Sequence, residues 1–68
     1  MRDQRKTMRE LFESKPNVKI PLYELMKIAA QYNARIHELR AEGMHIRNHI
    51  QIVRGERRTW YEYVKETI

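Results

Sequence analysis

The sequence has no cysteine, two glycines, two prolines, one Trp and one Phe in 68 residues. Without cysteine, disulfide staples and thiolate metal sites are excluded. So few glycines and prolines, beside 41% hydrophobic residues, argue against disorder or low complexity. Aspartate occurs once, at Asp3, and serine once, at Ser14. There is no Gly-rich phosphate loop, and no nucleophile, base and orienting group stand at workable spacing, so enzymatic activity is not expected. Apolar runs are a few residues long, far short of the roughly 20 that cross a bilayer. The basic start, Met1-Arg2-Asp3-Gln4-Arg5-Lys6, leads into no apolar segment, which argues against a secretory signal. The expectation is one small, soluble, cytoplasmic domain over residues 1–68, with its core in about 5–65. No cofactor, small-molecule ligand or membrane partner is expected.

What is abundant is positive charge: 14 Lys and Arg against 9 Asp and Glu give a formal charge of +5 and a pI near 9.9. It gathers in two stretches. Residues 1–20 carry Arg2, Arg5, Lys6, Arg9, Lys15 and Lys19 against three acids. Residues 31–58 carry Arg35, Arg40, Arg47, Arg54, Arg57 and Arg58 against Glu38, Glu42 and Glu56. Every cation in the second stretch is Arg, whose planar fork gives phosphate two parallel hydrogen bonds. A polyanionic partner fits this pattern, although solubility alone also asks for a net charge.

Hydrophobic spacing supplies the elements. Met8, Leu11 and Phe12 stand at i, i+3, i+4 and predict a helix from about Asp3 to Ser14. Pro16 disfavours helical geometry at Lys15 and ends it. Val18-Lys19-Ile20 alternates as a short strand. Pro21 suits the first turn of a second helix, where Leu22, Leu25 and Met26 repeat the stripe as far as Lys27 or Ile28. A third helix is predicted from Gln31 to Glu42, closed by Gly43, with Tyr32, Ile36 and Leu39 inward. From Met44 the period falls to two. Ile46, Asn48, Ile50 and Ile52 alternate with Arg47, His49 and Gln51, and a second strand follows over Thr59–Val64. Residues 53–58, with Gly55, form the connection of an antiparallel hairpin. A two-residue loop at Arg54-Gly55 would set Ile46 opposite Tyr63, Arg47 opposite Glu62 and His49 opposite Trp60. A three-residue loop would instead align Ile46 with Val64 and Ile50 with Trp60.

The run Gln31-Tyr32-Asn33-Ala34-Arg35-Ile36-His37-Glu38-Leu39-Arg40-Ala41-Glu42-Gly43 resembles the third-helix signature of short prokaryotic and phage winged helix-turn-helix domains, roughly A-R-I-x-E-L-R-x-x-G before a strand. Ile46, Asn48 and Trp60-Tyr61 are similar to the hairpin of the same family. The resemblance implies an α+β fold of three helices, a C-terminal two-strand hairpin wing and a short strand near Val18–Ile20. It further implies duplex DNA binding, with the third helix (about 30–42) in the major groove and the basic wing (53–58) on the backbone or in the minor groove. A small transcriptional or phage regulator is the expected role.

On that helix Ala30, Ala34 and Ala41 would allow close approach to groove walls. Gln31 and Asn33 carry the donor and acceptor that suit adenine, and Arg35 the fork that suits guanine or phosphate. With Ala34, His37 and Glu38 they are the base-contacting candidates; Arg40, Arg54, Arg57 and Arg58 are the backbone candidates. The same residues admit a plainer reading. Arg35 with Glu38, and Arg40 with Glu24 or Glu42, are spaced or placed for local ion pairs that need no partner. The arginines at 54, 57 and 58 would guard a solvated turn. His45 and His49 lie about 13 Å apart on a strand at ~3.3 Å per residue, so no metal site is expected. Trp60, Tyr61 and Tyr63 suit a single-strand stacking platform, but on a last strand they are read as core. The alternative function is a protein-interaction module on the same scaffold, with Trp60 and Glu38 at the interface, or a homodimer.

Overall fold

The computed structural model describes residues 3–65. Its elements run in the order α1 (Gln4–Ser14), β1 (Lys19–Pro21), α2 (Leu22–Ile28), α3 (Tyr32–Ala41), β2 (Ile46–Val53) and β3 (Glu56–Tyr63). It is an α+β arrangement in which three helices and a three-stranded antiparallel sheet of order β1-β3-β2 share one core.

Asp3 starts α1 from the N-cap position. Its Oδ1 accepts from the backbone N–H of Arg5 (3.1 Å) and of Lys6 (3.3 Å), two donors the helix cannot satisfy itself. Met8 and Phe12 enter the core and Leu11 is half-buried, as the stripe requires. Beyond the break at Pro16, Asn17 takes a left-handed φ of 62°. Its side chain exchanges two 3.1 Å hydrogen bonds with the backbone of Lys65, and its N–H donates to Tyr63 O at 2.8 Å. The chain leaving α1 is thereby fastened to the end of β3.

β1 begins at Lys19, one residue later than the alternation at 18–20 indicates, and Val18 is exposed. It pairs Ile20 with Tyr61 and Pro21 with Trp60, which makes the sheet three-stranded rather than a two-strand hairpin. Pro21 closes this edge strand, where its missing N–H costs little, and stands at the N-cap of α2 instead of inside its first turn. In α2, Leu25 is fully buried and Leu22 half-buried, but Met26 lies 53% exposed. The helix is only two turns long, and the inward positions after Leu25 are taken by Ile28 and Ala29.

α3 is shorter at both ends than the expected 30–42. Gln31, with φ −98° and ψ 55°, precedes it, and Glu42 is its C-cap. Gly43 at φ 101° makes the turn out. The Met44 N–H reaches Leu39 O (3.1 Å) and the Gly43 N–H reaches Arg40 O (3.0 Å), the paired bonds of a Schellman ending. Met44 and Leu39 are both buried beneath it.

β2 and β3 pair with the register of the two-residue loop: Ile46 faces Tyr63, Asn48 faces Tyr61, Ile50 faces Thr59 and Val53 faces Glu56. Only Arg54 (φ 54°) and Gly55 (φ 80°) form the turn. Residues 53 and 56–58 are strand, not loop, so the basic segment is rigid ladder almost to its tip.

Met8, Phe12, Leu25 and Leu39 are the largest fully buried side chains. Ile20, Ala29, Ile36, Met44, Ile46 and Tyr61 complete the core, and among the described residues no polar or charged residue other than Tyr61 belongs to it. The helices cover only the base of the hairpin. Past Asn48, Ile50 and Ile52 continue the inward-facing row yet are 53% and 73% exposed. No helix among the described residues is long and apolar enough to cross a membrane.

Candidate functional site

Because side chains alternate across a strand, the hairpin has two faces with different chemistry. Ile46, Asn48, Ile50 and Ile52, with Arg57, Thr59, Tyr61 and Tyr63 opposite them, face the helices. Arg47, His49 and Gln51, with Arg58, Trp60 and Glu62, face away. Arg57 and Arg58, adjacent in sequence, therefore serve opposite sides of the sheet.

On the helix side an open cleft of about 440 Å³ lies between the start of α3 and the hairpin. Tyr32 and Asn33 of α3, Asn48 and Ile50 of β2, and Arg57 and Thr59 of β3 line it. Tyr32 packs edge-on against Tyr61 with ring centroids 6.1 Å apart, and both rings line the cleft. Burial holds the Tyr61 hydroxyl above its ordinary pKa of 10.0, and neighbouring Tyr32 adds to this. The charges of Arg40 and Arg57 pull the other way, so both guanidinium groups act on this spot.

Of the base-contacting candidates, Gln31, Asn33 and His37 are exposed and Ala34 is half-buried. Asn33 alone among them lines the cleft. Arg35 and Glu38 are tied to each other, Nη2 to Oε1 at 2.6 Å. The buried Arg35 Nε–H has no acceptor among the described residues. The Arg35 fork is thus partly spent within the helix, as the local-pair alternative anticipates.

Arg40 does not make the local ion pair its position suggested. Its Nε (3.1 Å) and Nη2 (2.6 Å) donate to Ile46 O, and Nη2 also reaches Asn48 Oδ1 at 2.9 Å. Neither Glu24 nor Glu42 is its partner. Glu42 is held instead by Arg9 (2.8 Å) and Arg5 (3.3 Å) of α1, and Glu24 lies 3.7 Å from Lys27. Arg54 occupies the turn and Arg58 the reverse face, 3.9 Å from Glu56. On that face Glu62 bonds His49 Nε2 at 2.7 Å rather than Arg47 directly opposite it. Diagonal neighbours lie within reach across a twisted ladder.

Asn48, Ile50 and Thr59 belong to the cleft but were not among the residues expected there. Asn48 carried a readable signal, being the one polar residue in the inward row Ile46, Asn48, Ile50, Ile52. Among the described residues no group of three or more His, Asp and Glu could hold a metal ion. No protein-family model matches the chain, and comparison with curated proteins and with solved structures gives no match either.

Proposed function

We propose that the chain is a winged helix-turn-helix domain that binds duplex DNA, as a small transcriptional or phage regulator would. α3 enters the major groove, and the β2–β3 hairpin is the wing that follows the backbone or the adjacent minor groove. The observation that carries this reading is the shared cleft, where Asn33 of α3 and Arg57 of the hairpin meet on one open surface. A reading helix and a cation-bearing ribbon side by side are what a duplex needs, one for base edges and the other for phosphate.

Other features support it. Gln31 and Asn33 stand at the start of α3, the end of such helices that meets base edges. Ala30 and Ala41 are exposed and small. The Arg35 pair neutralises Glu38, which would otherwise repel phosphate. Fluorescence anisotropy on a random-sequence duplex at several salt concentrations tests the reading. With about 4–6 phosphates neutralised, log K falls against log salt with a slope of about −4 to −5. Binding that is absent at low salt, or indifferent to salt, rejects it. Substituting Gln31 or Asn33 is expected to change sequence preference more than overall affinity.

A further inference from the structure

A second concave surface lies beside α2 where β3 runs past its short partner β1, so that Arg57 and Thr59 from one face of the strand and Arg58 and Trp60 from the other all border it. Its volume is about 560 Å³, in the range that takes a few side chains of a ligand or partner. Pro21, Tyr23, Met26 and Trp60 give it apolar walls, and Arg57 and Arg58 stand at its rim. Tyr23 and Met26 are 61% and 53% exposed, the only large apolar side chains of α2 left so open. They are three residues apart and share one face of the helix. Neither the core nor the α3 cleft uses them.

We infer that this groove is a docking site for an acidic segment of a protein partner that carries apolar anchoring side chains. Two independent arguments support that occupant. The residue types are those of interface centres: Tyr, Trp, Met and Arg are present, while Lys, Glu, Asp, Ser and Ala are missing from its lining. Methionine in particular adapts to partner side chains of different shape. The charge is complementary as well. Two arginines border the apolar floor of a chain whose net charge is +5, and Lys27 lies over the Tyr23 ring at 5.5 Å. Among the described residues, the acids on α2 and β3 each have a neighbour already: Glu24 stands beside Lys27, Glu56 beside Arg58, and Glu62 bonds His49. An acidic segment gains from both arginines without meeting a free carboxylate.

Trp60 is the single Trp of the chain and reports occupancy directly. The intact protein is titrated with a short Trp-free peptide of Asp and Glu interspersed with Leu and Phe, and with a control of equal charge in which Leu and Phe are replaced by Ser. A saturable change in Trp60 fluorescence is expected, with the apolar peptide binding at least about tenfold more tightly than the control. The double variant Tyr23→Ala, Met26→Ala removes exposed side chains, so the fold survives, and peptide affinity falls about tenfold. Arg58→Glu lowers it comparably. No saturable response, equal binding of the two peptides, or unchanged affinity in the double variant each overturns the inference. Duplex affinity of the same double variant separates this surface from the α3 cleft. It stays within about twofold of the parent if the groove serves a protein. A loss as large as that for the peptide would make the groove a nucleic-acid surface and overturn the inference.

Discussion

The Arg40 guanidinium grips the carbonyl oxygen of Ile46 from two nitrogens, at 2.6 and 3.1 Å. The ladder explains why this carbonyl needs a donor. The Val64 N–H donates to His45 O, so residues 45 and 64 form a hydrogen-bonded pair. The next pair, Ile46 and Tyr63, is therefore of the other kind, with its β2 carbonyl turned out of the sheet. A charged fork reaching back from the last turn of α3 satisfies it and fixes the helix against the first strand of the hairpin.

Removing that fork is expected to loosen the helix–hairpin junction. Arg40→Ala should destabilise by about 1–2 kcal/mol, below the range for a fully buried charged bond because the side chain is partly solvated. For a domain of this size that lowers Tm by about 5–15 °C. Arg40→Lys, with one point charge in place of a fork, should recover part of the loss. Thermal unfolding by circular dichroism measures this. Variants that melt with the parent protein would show the contact to be idle.

The turn stores a different kind of energy. Arg54 sits at φ 54° and Gly55 at φ 80°, the two positive angles of a type I′ turn. Glycine adopts this conformation freely, whereas a long L side chain does not. Arg54→Asn supplies the residue such turns prefer and is expected to raise stability by about 0.5–1 kcal/mol. If the hairpin is a wing, the same substitution should weaken duplex binding at low salt. Opposite signs for stability and affinity would mark Arg54 as a residue kept for its charge despite its backbone cost. A gain in both would leave the side chain without a binding role.

Much of this architecture is legible in the residues, and the exceptions have a common physical origin. The stripes at Met8, Leu11, Phe12 and at Tyr32, Ile36, Leu39 locate α1 and α3, since each must bury one face. The hairpin register follows from alternation and a glycine able to take positive φ. What local pattern cannot show is what a long polar side chain will reach. Glu42 reaches α1, 33 positions from Arg9, and Arg40 serves a carbonyl whose direction depends on the register. Met26 fits the stripe of α2 by spacing, but a two-turn helix has inward room for Leu25, Ile28 and Ala29 first. Within the cleft, Asn33 and Arg57 could be named in advance. That they share it, while Arg58 does not, follows from strand parity once the turn is known.

Alkaline stability is expected to depend on Tyr61. Its pKa lies above the ordinary 10.0 because burial disfavours the phenolate. A folded-state pKa raised above the unfolded value means the native protein holds this proton more tightly. The contribution is complete below about pH 10 and is lost as pH rises through the folded value. Urea midpoints should thus be flat from about pH 7 to 9 and fall above 10. Tyr61→Phe keeps the ring and removes the titration, so its decline above pH 10 should be shallower. Parallel profiles for the two proteins would show that the Tyr61 hydroxyl is not the group responsible.

Arg57 and Arg58 offer the sharpest comparison, because composition treats them alike and the sheet separates them. Arg57 lies opposite Ile52 and lines the cleft with Asn33, whereas Arg58 lies opposite Gln51 on the other face. Both are exposed and neither belongs to the core, so each alanine variant should fold with nearly parental stability. On duplex DNA, Arg57→Ala is expected to weaken binding of all sequences and to flatten the salt slope by about 1, the signature of one lost phosphate contact. Arg58→Ala should shift the slope by much less. Anisotropy titrations of the two variants side by side, at the same salt concentrations, give the answer. Equal losses would mean that the duplex sees only net charge. A larger loss at Arg58 would place DNA on the reverse face of the sheet, away from α3, and the reading of α3 as the recognition helix would fall with it.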